Sequence, residues 1–303
     1  MQYKRPKKNI NGVLLLDKPL GFSSNQALQK IKWLLQAAKA GHTGTLDPLA
    51  TGLLPLCFGE ATKFAHYLTD ADKTYVATLK LGVTTTTGDA EGEVLDRQTV
   101  NVNRTQFETA CKQFVGEISQ VPPMYSALKH EGKALYEYAR AGVEIERKAR
   151  LVHIYTIQVN RFEGDVAQIS VTCSKGTYIR TLAEDIGAML GCGAHLIGLR
   201  RTATANYAIT QAITLEQFEA TPPEQREALL LPEDSAVQHL PAITLDENSS
   251  FYLQQGQAVW KSGVIAQGLL RLYHEQGQFL GLGEQQSDGK IAPKRLIVHK
   301  NTI

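Results

Sequence analysis

The stretch best equipped for chemistry is Gly41-His42-Thr43-Gly44-Thr45-Leu46-Asp47-Pro48-Leu49-Ala50. Its two glycines let the backbone come close to a ligand. Pro48 pushes Asp47 out of helical geometry toward an extended one. Asp47 is thus a carboxylate displayed on an irregular loop, where functional groups are often carried. By residue type alone, the stretch also reads as an ordinary turn whose aspartate caps a helix. A second stretch, Ser174-Lys175-Gly176-Thr177-Tyr178-Ile179-Arg180, falls between a predicted strand and a predicted helix. Arg180 lies off the apolar Ile179, Leu182 and Ile186 face, so it can point into a cleft. A phosphate-binding loop is a weaker reading, because the G-x-x-x-x-G-K-S/T spacing is absent; a solvated arginine is the plain one. Tyr75 is the third candidate, on a strand where a lone tyrosine usually serves the core. A hydrolase working through Asp47 and an activated water would need a second carboxylate. Asp89 and Glu184 are available by type, but no spacing selects either. Cys192 and His195 have a metal-like spacing, with no second pair to complete a four-ligand site.

A chain of 303 residues makes two domains the natural expectation. Its 43% hydrophobic content supports a buried core and argues against disorder. No apolar run approaches the ~18 residues that cross a bilayer. Val13 to Leu16 is too short for a signal-peptide core and has no small-residue cleavage site after it, so a cytoplasmic setting is expected. The net charge of +2 does not announce a nucleic-acid binder. Lys4, Arg5, Lys7 and Lys8 nevertheless form a basic tail, with no anion among the first eight residues. Such a tail can follow a phosphate backbone or simply be solvated. The four cysteines are scattered and read as reduced core residues.

The elements that must hold these groups follow from periodicity. Val13 to Leu16 reads as a buried strand, broken by Asp17-Lys18-Pro19-Leu20-Gly21. Ser23 and Gln26 have capping-box spacing, and Ala27, Leu28, Ile31, Leu34, Leu35 and Ala38 share one helical face. Gly41 is expected to end that helix, and residues 41–52 to form a loop. Tyr75, Ala77, Leu79 and Leu81 alternate as a strand. Residues 84–92 read as a polar link, Phe107 to Val115 as helix, and Leu151 to Val159 and Val166 to Cys173 as strands. A helix carrying Ile179, Leu182, Ile186 and Leu190 follows, then a strand from His195 to Thr204. The prolines of 220–242 predict an extended linker. Beyond about 245, Leu269 to Tyr273, Phe279 to Leu282 and Leu296 to Val298 predict a small β domain. Residues 120–150 mix Lys129, His130, Lys133, Arg140, Arg147, Lys148 and Arg150 with Tyr125, Tyr136 and Tyr138. Cations for phosphate and rings for stacking suit RNA; the alternative is a solvated amphipathic helix with tyrosines facing the core.

Taken together, these motifs resemble the TruB family, the bacterial tRNA pseudouridine-55 synthases. Gly41 to Ala50 is similar, position for position, to the family's catalytic loop. Lys18-Pro19-x-Gly21-x-Ser23-Ser24 resembles its N-terminal motif. Gly82-x-x-Thr85-x-Thr87-x-Asp89-x-x-Gly92 resembles the segment after its tyrosine strand. Pro122 to Lys129 and Tyr136 to Arg140 resemble its RNA-gripping insertion, and Lys175 to Arg180 and Leu199-Arg200-Arg201 complete the set. The likeness spans about residues 10–245. The C-terminal region is similar to a small PUA-type RNA-binding domain. One departure stands out: the family commonly has a glycine before an aromatic after the paired arginines, and Thr204-Ala205-Asn206-Tyr207 has none.

The resemblance implies an α+β fold. A central mixed, mainly antiparallel sheet flanked by helices and loops would span 10–245, with the gripping insertion near 120–150. A β-rich PUA-like domain would occupy 246–303, and residues 1–9 would be a flexible basic tail. It implies an isomerase that turns uridine 55 of the tRNA T loop into pseudouridine, without cofactor or metal. Asp47 would be the nucleophile, at C1′ of the ribose or C6 of the base. Arg180 would hold it as a bidentate partner and lower its pKa, typically by ~1–3 units. Tyr75 would stack on the uracil; a base role is harder, because a free phenol has a pKa near ~10. The uridine would be flipped out, with His42 filling its space and Tyr178 and Leu199 walling the pocket. Lys18 and Pro19 would support the loop, and Lys129, Arg140 and Lys175 would contact RNA. The partner is the tRNA T arm, with no membrane and no obligate protein partner, and the enzyme is expected to be a monomer. A tRNA-folding chaperone role would be compatible with the same grip. The 120–150 segment is expected to order on RNA.

Overall fold

The computed structural model describes residues 7–263 and 268–298. Lys4 and Arg5 of the basic tail lie outside the described residues. Lys8 is pinned: its amide donates to Gln36 O at 2.8 Å, and its carbonyl accepts from Ala38 at 2.9 Å.

A ten-stranded mixed sheet organises the chain. Its first strands are β1 (Gly12–Lys18), β2 (Ala40–His42), β3 (Ala50–Phe58) and β4 (Lys73–Leu81). From one edge the order is Ile213–Thr214, β1, β3, Ala194–Thr204, β4, Val166–Cys173, Arg150–Glu163 and Gly116–Gln120. Most neighbours are antiparallel, but β3 runs parallel to Ala194–Thr204 and β1 to Ile213–Thr214. The Val13 to Leu16 stretch of β1 is apolar because both its faces are covered. Leu14 and Leu16 join the cluster under helix α1 (Ser24–Leu35) and the helix Ile179–Met189. Val13 and Leu15 join Phe64, Leu68 and Tyr207 on the other face. In β4, Lys73, Tyr75, Ala77, Leu79 and Leu81 alternate inward, as period-2 patterning requires.

Helix α1 starts at a capping box: Ser23 Oγ accepts from Gln26 N at 3.2 Å and Gln26 Oε1 from Ser23 N at 2.8 Å. It ends at Gln36, in left-handed geometry at φ 56°, not at Gly41. Gly41 instead lies in β2, opposite Cys57, and residues 50–52 already belong to β3, so the expected 41–52 loop is only residues 43–49. The departure at Ala205 leaves the turn intact, since Ala205 takes the left-handed conformation at φ 51° without a glycine.

The proline-rich 220–242 segment is not an extended linker. It forms the helical turns Pro223–Leu229 and Glu233–Val237, because a proline at a helix start fixes φ and loses no needed donor. Ser235, Ala236 and Val237 are buried, and Arg226 donates to Leu34 O, Glu219 O and Thr221 O. A second sheet of five strands contains Ala242–Leu245, Leu269–His274, Phe279–Gln285, Lys290–Leu296 and Val259–Trp260. Its last long strand therefore precedes the expected Leu296 to Val298 segment. Pro293 is accommodated next to a register irregularity, where a missing N–H is tolerated. Phe279, Leu282 and Ile297 pack into the Val13 and Leu15 cluster, joining the two sheets through apolar contact.

Candidate active site

The loop between β2 and β3, the start of β4, the 126–128 strap, Ser174–Arg180 and Leu199–Arg201 enclose a cleft of about 450 Å³. This is within the roughly 300–1,000 Å³ of small-ligand sites. The loop is held from several sides. Ser24 Oγ accepts from Leu46 N at 2.7 Å and donates to Leu46 O at 3.0 Å. Gly21 N donates to Pro48 O at 2.9 Å, and Ala50 N to Asp47 O at 3.0 Å. Gly44 sits at φ 84°, and an added Cβ would come 3.3 Å from Arg201 Nη1. The first turn of α1 thus fixes the loop that displays Asp47.

Asp47 Oδ2 lies 3.1 Å from Arg180 Nη2. The pair is not the bidentate fork expected from the sequence. Arg180 divides its guanidinium: Nη1 lies 3.4 Å from Asp89 Oδ2. The same guanidinium donates to Thr87 O at 3.1 Å and Tyr125 O at 2.6 Å. Asp89 is 2% exposed and accepts from Thr87 Oγ1 at 2.5 Å and Glu91 N at 3.1 Å. The Asp47 side chain is 39% exposed and lines the cleft. Burial accordingly raises its pKa above the ordinary carboxylate value, outweighing Arg180, which lowers it; Asp89 adds to the rise and Lys18 opposes it. The expected lowering fails because desolvation at the cleft floor is large and Arg180 serves two anions.

Tyr75 is 8% exposed and lines the cleft with His42, Tyr178, Leu199 and Arg180. Burial raises the Tyr75 phenol above its usual value, although Arg201 acts against this; the hydroxyl is therefore protonated near neutrality. The Tyr178 phenol is raised by burial as well. His42 is lowered by burial and then by Arg201, so its imidazole is neutral at pH 7. Its Nδ1 is buried without a hydrogen-bond partner among the described residues. Lys18 is wholly buried. Its ammonium donates to Pro19 O at 2.9 Å and Phe22 O at 2.5 Å, and burial pushes it down to about 8. Lys18 thereby braces the turn through Pro19.

Lys129, Arg140 and Lys175 lie outside the cleft lining and are exposed. Lys129 joins His130, Arg147, Lys148 and Arg150 around a separate recess. Arg140 covers the Tyr136 ring at 5.5 Å, and Lys175 pairs with Asp70 at 3.2 Å. The insertion folds as a two-residue hairpin and the short helix Leu135–Arg140. Its strap touches the centre of the site where Tyr125 O accepts from Arg180. The Cys192–His195 pair serves the core: both are buried, and His195 Nδ1 lies 2.8 Å from Val83 O.

Comparison with known proteins decides the family. Residues 32–179 match the TruB family pseudouridylate synthase N-terminal domain. Residues 180–238 match the tRNA pseudouridylate synthase B C-terminal domain, and 241–297 match Pseudouridine synthase II TruB, C-terminal. The tRNA pseudouridine synthase B of Methylobacillus flagellatus is 63% identical over 297 residues, 98% of each chain. That of Pseudomonas aeruginosa is 54% identical over 300 residues, 98% of this chain and 99% of the other. The chain belongs to the TruB family.

TruB-family membership makes it a pseudouridine synthase, an isomerase that converts uridine to pseudouridine. The fold is shared more widely. The chain matches one in a Cbf5-Nop10-Gar1 complex at 29% identity, with TM-score 0.71 over 95% of this chain and 84% of the other. It also matches, at 23% identity and TM-score 0.72, a chain of an H/ACA RNP bound to a substrate RNA containing 2′-deoxyuridine, over 99% of this chain and 93% of the other.

The TruB-family site contains residues to which the sequence argument gave no role in it. Asp89, by type a spare carboxylate and part of the Gly82-to-Gly92 motif, shares Arg180. Its signal was an acid between Thr87 and Gly92 in a turn-rich stretch. Arg201 lies directly opposite Tyr75 on the neighbouring strand, and two residues from Leu199 on the same face. Lys73 lies two before Tyr75. Each lies within a motif or strand legible in the sequence, and the register that brings them together is not local information.

Proposed function

We propose that this enzyme isomerises uridine 55 in the T arm of tRNA in the cytoplasm, with Asp47 as nucleophile on a flipped-out base. The observation that carries the reading is the Asp47–Arg180 contact of 3.1 Å in the cleft walled by Tyr75, Tyr178 and Leu199. The name of the relatives, tRNA pseudouridine synthase B, supports tRNA as the substrate.

Each role has a physical basis. Arg180 orients one carboxylate oxygen and opposes the desolvation that would protonate Asp47. Tyr75 offers a buried ring face for stacking on uracil, as aromatic side chains do for extruded bases. The neutral His42 imidazole can enter the space left by the base without bringing a charge into the stack. Tyr178 and Leu199 close the pocket against water. Lys129, Arg140 and Lys175 hold phosphates outside it. The isomerisation breaks one bond from ribose to N1 and makes one to C5, so atoms and charge balance without a co-reactant.

A glycosylase reading is disfavoured by a specific observation. Among the described residues, Asp47 is the one carboxylate lining the cleft. Asp89 is spent on Arg180, Thr87 and Glu91, so a second acid for water activation is missing from the lining. The test is incubation of purified enzyme with a T-arm stem-loop, followed by mapping of pseudouridine. Modification at position 55 supports the proposal. Release of free uracil, or modification at another site only, would overturn it.

A further inference from the structure

Two cations beside Tyr75 lack a carboxylate of their own. Arg201, 1% exposed, heads the largest fully buried side chains. Its Nε donates to Leu53 O at 2.7 Å and its Nη2 to Gly44 O at 3.3 Å, and it lies opposite Tyr75 in the strand register. Lys73, 7% exposed, donates to Thr69 O at 2.8 Å, Leu68 O at 3.3 Å and Ala71 O. Its ammonium thus caps carbonyls at the end of helix α2 (Ala65–Asp70). Both cations line the cleft. Among the described residues no carboxylate forms an ion pair with either. The nearby acids are committed elsewhere, Asp70 to Lys175 and Asp72 to the Tyr155 hydroxyl.

Burying a cation without a counter-ion is costly, and two side by side are costlier. Burial lowers Lys73 to about 8, and Arg201 pushes in the same direction. At the far end Asp47 and Asp89 are matched by Arg180, with the Lys18 ammonium also near enough to lower the Asp47 pKa. The cationic charge left without a carboxylate partner therefore sits beside Tyr75.

We propose that Lys73 and Arg201 are preorganised supporting cations that stabilise the negative charge the pyrimidine acquires during isomerisation. This rests on the pseudouridine synthase reading above. In attack at C1′, a carboxylate lone pair forms the Asp47 oxygen–C1′ bond, and the C1′–N1 pair leaves on the base. Later the C5 pair bonds C1′, the carboxylate recovers its pair, C5 loses its proton and N1 gains one. In attack at C6, the displaced C5=C6 pair forms an enolate on O4. Either route moves one negative charge from Asp47 to the ring. Arg180 stays held by Asp89 and by the Thr87 and Tyr125 carbonyls, so the charge arriving at the Tyr75 side needs its own partners. Groups fixed in advance where charge develops stabilise a transition state most effectively.

The experiment compares single-turnover conversion of T-arm stem-loops carrying uridine or 5-fluorouridine at the target position. Loss of the parent nucleoside is followed after digestion, and stem-loop affinity is measured in parallel. Fluorine withdraws electrons and stabilises the pyrimidine anion without help from the protein. Lys73→Gln, which keeps a donor for the α2 carbonyls, should convert uridine about tenfold more slowly with Kd within about twofold. The defect should shrink on 5-fluorouridine, and Lys73→Arg should recover most of the rate. Arg201→Lys, which keeps the charge, should be impaired less than Arg201→Met. Equal slowing on both substrates, or slowing matched by lost affinity or thermal stability, assigns these residues a structural role and overturns the inference. Failure of the unaltered enzyme to convert uridine would sink the functional reading itself.

Discussion

Arg180 is the residue on which the charge balance of the site turns, and Arg180→Met isolates it. The guanidinium is 7% exposed and its Asp89 partner 4%. At 3.4 Å and an effective dielectric of about 20, the gross attraction is roughly 5 kcal/mol. Removing one partner of a buried pair strands the other charge, at about 3–5 kcal/mol. The Asp47 arm contributes less, because that side chain is 39% exposed and screened. Such a loss is a large share of a stability of roughly 5–15 kcal/mol, and lowers Tm by roughly 5–10 °C. Asp89→Asn alone should cost less, about 1–2 kcal/mol, since Arg180 keeps Asp47, Thr87 O and Tyr125 O. The decisive variant is Arg180→Met combined with Asp89→Asn. It removes the stranded carboxylate and should be more stable than Arg180→Met, a coupling of about 1–3 kcal/mol. Thermal and urea denaturation of the four proteins measure this. Additive losses would refute the claim that Arg180 and Asp89 form one electrostatic unit.

The remaining predictions concern pH and RNA. On the proposed mechanism Asp47 attacks as the carboxylate, and its pKa is raised, so the single-turnover rate should fall with decreasing pH at values above the ordinary carboxylate range. Removing Arg180, which lowers that pKa, should move this acid limb upward. Asp89→Asn, which removes an anion that raises it, should move the limb downward. Limbs that move the other way, or not at all, contradict the assignment. Neutralising Lys129, Arg140 and Lys175 together should weaken stem-loop binding and flatten its dependence on log salt by about 2–3 in slope. The rate at saturating RNA should change little; a slope that stays put excludes phosphate contact.

Local chemistry made part of this site legible. The capping box at Ser23 and Gln26 located α1, period-2 alternation located β4, and Pro48 marked Asp47 as a displayed carboxylate. What stayed hidden depends on long-range register. Arg201 faces Tyr75 because Ala194–Thr204 lies against β4, a pairing between segments more than a hundred residues apart. Asp89 reaches Arg180 through a turn with Gly88 at φ 70°, which no periodicity encodes. The expected fall in the Asp47 pKa failed for a related reason: the sequence names a cationic partner but not the depth of the cleft or a second claimant on the guanidinium. The Gly41 stop and the 220–242 linker failed because residue type was read without context. Gln36 paid the left-handed cost itself, and the prolines began packed helical turns.

The most direct test is pseudouridine formation by Asp47→Asn on a T-arm stem-loop under single-turnover conditions, with Kd measured on the same protein. Asparagine keeps the shape of the side chain and removes its charge. The account predicts no pseudouridine above background, with stem-loop affinity and Tm close to those of the unaltered enzyme. Substantial pseudouridine formation by this variant would contradict it.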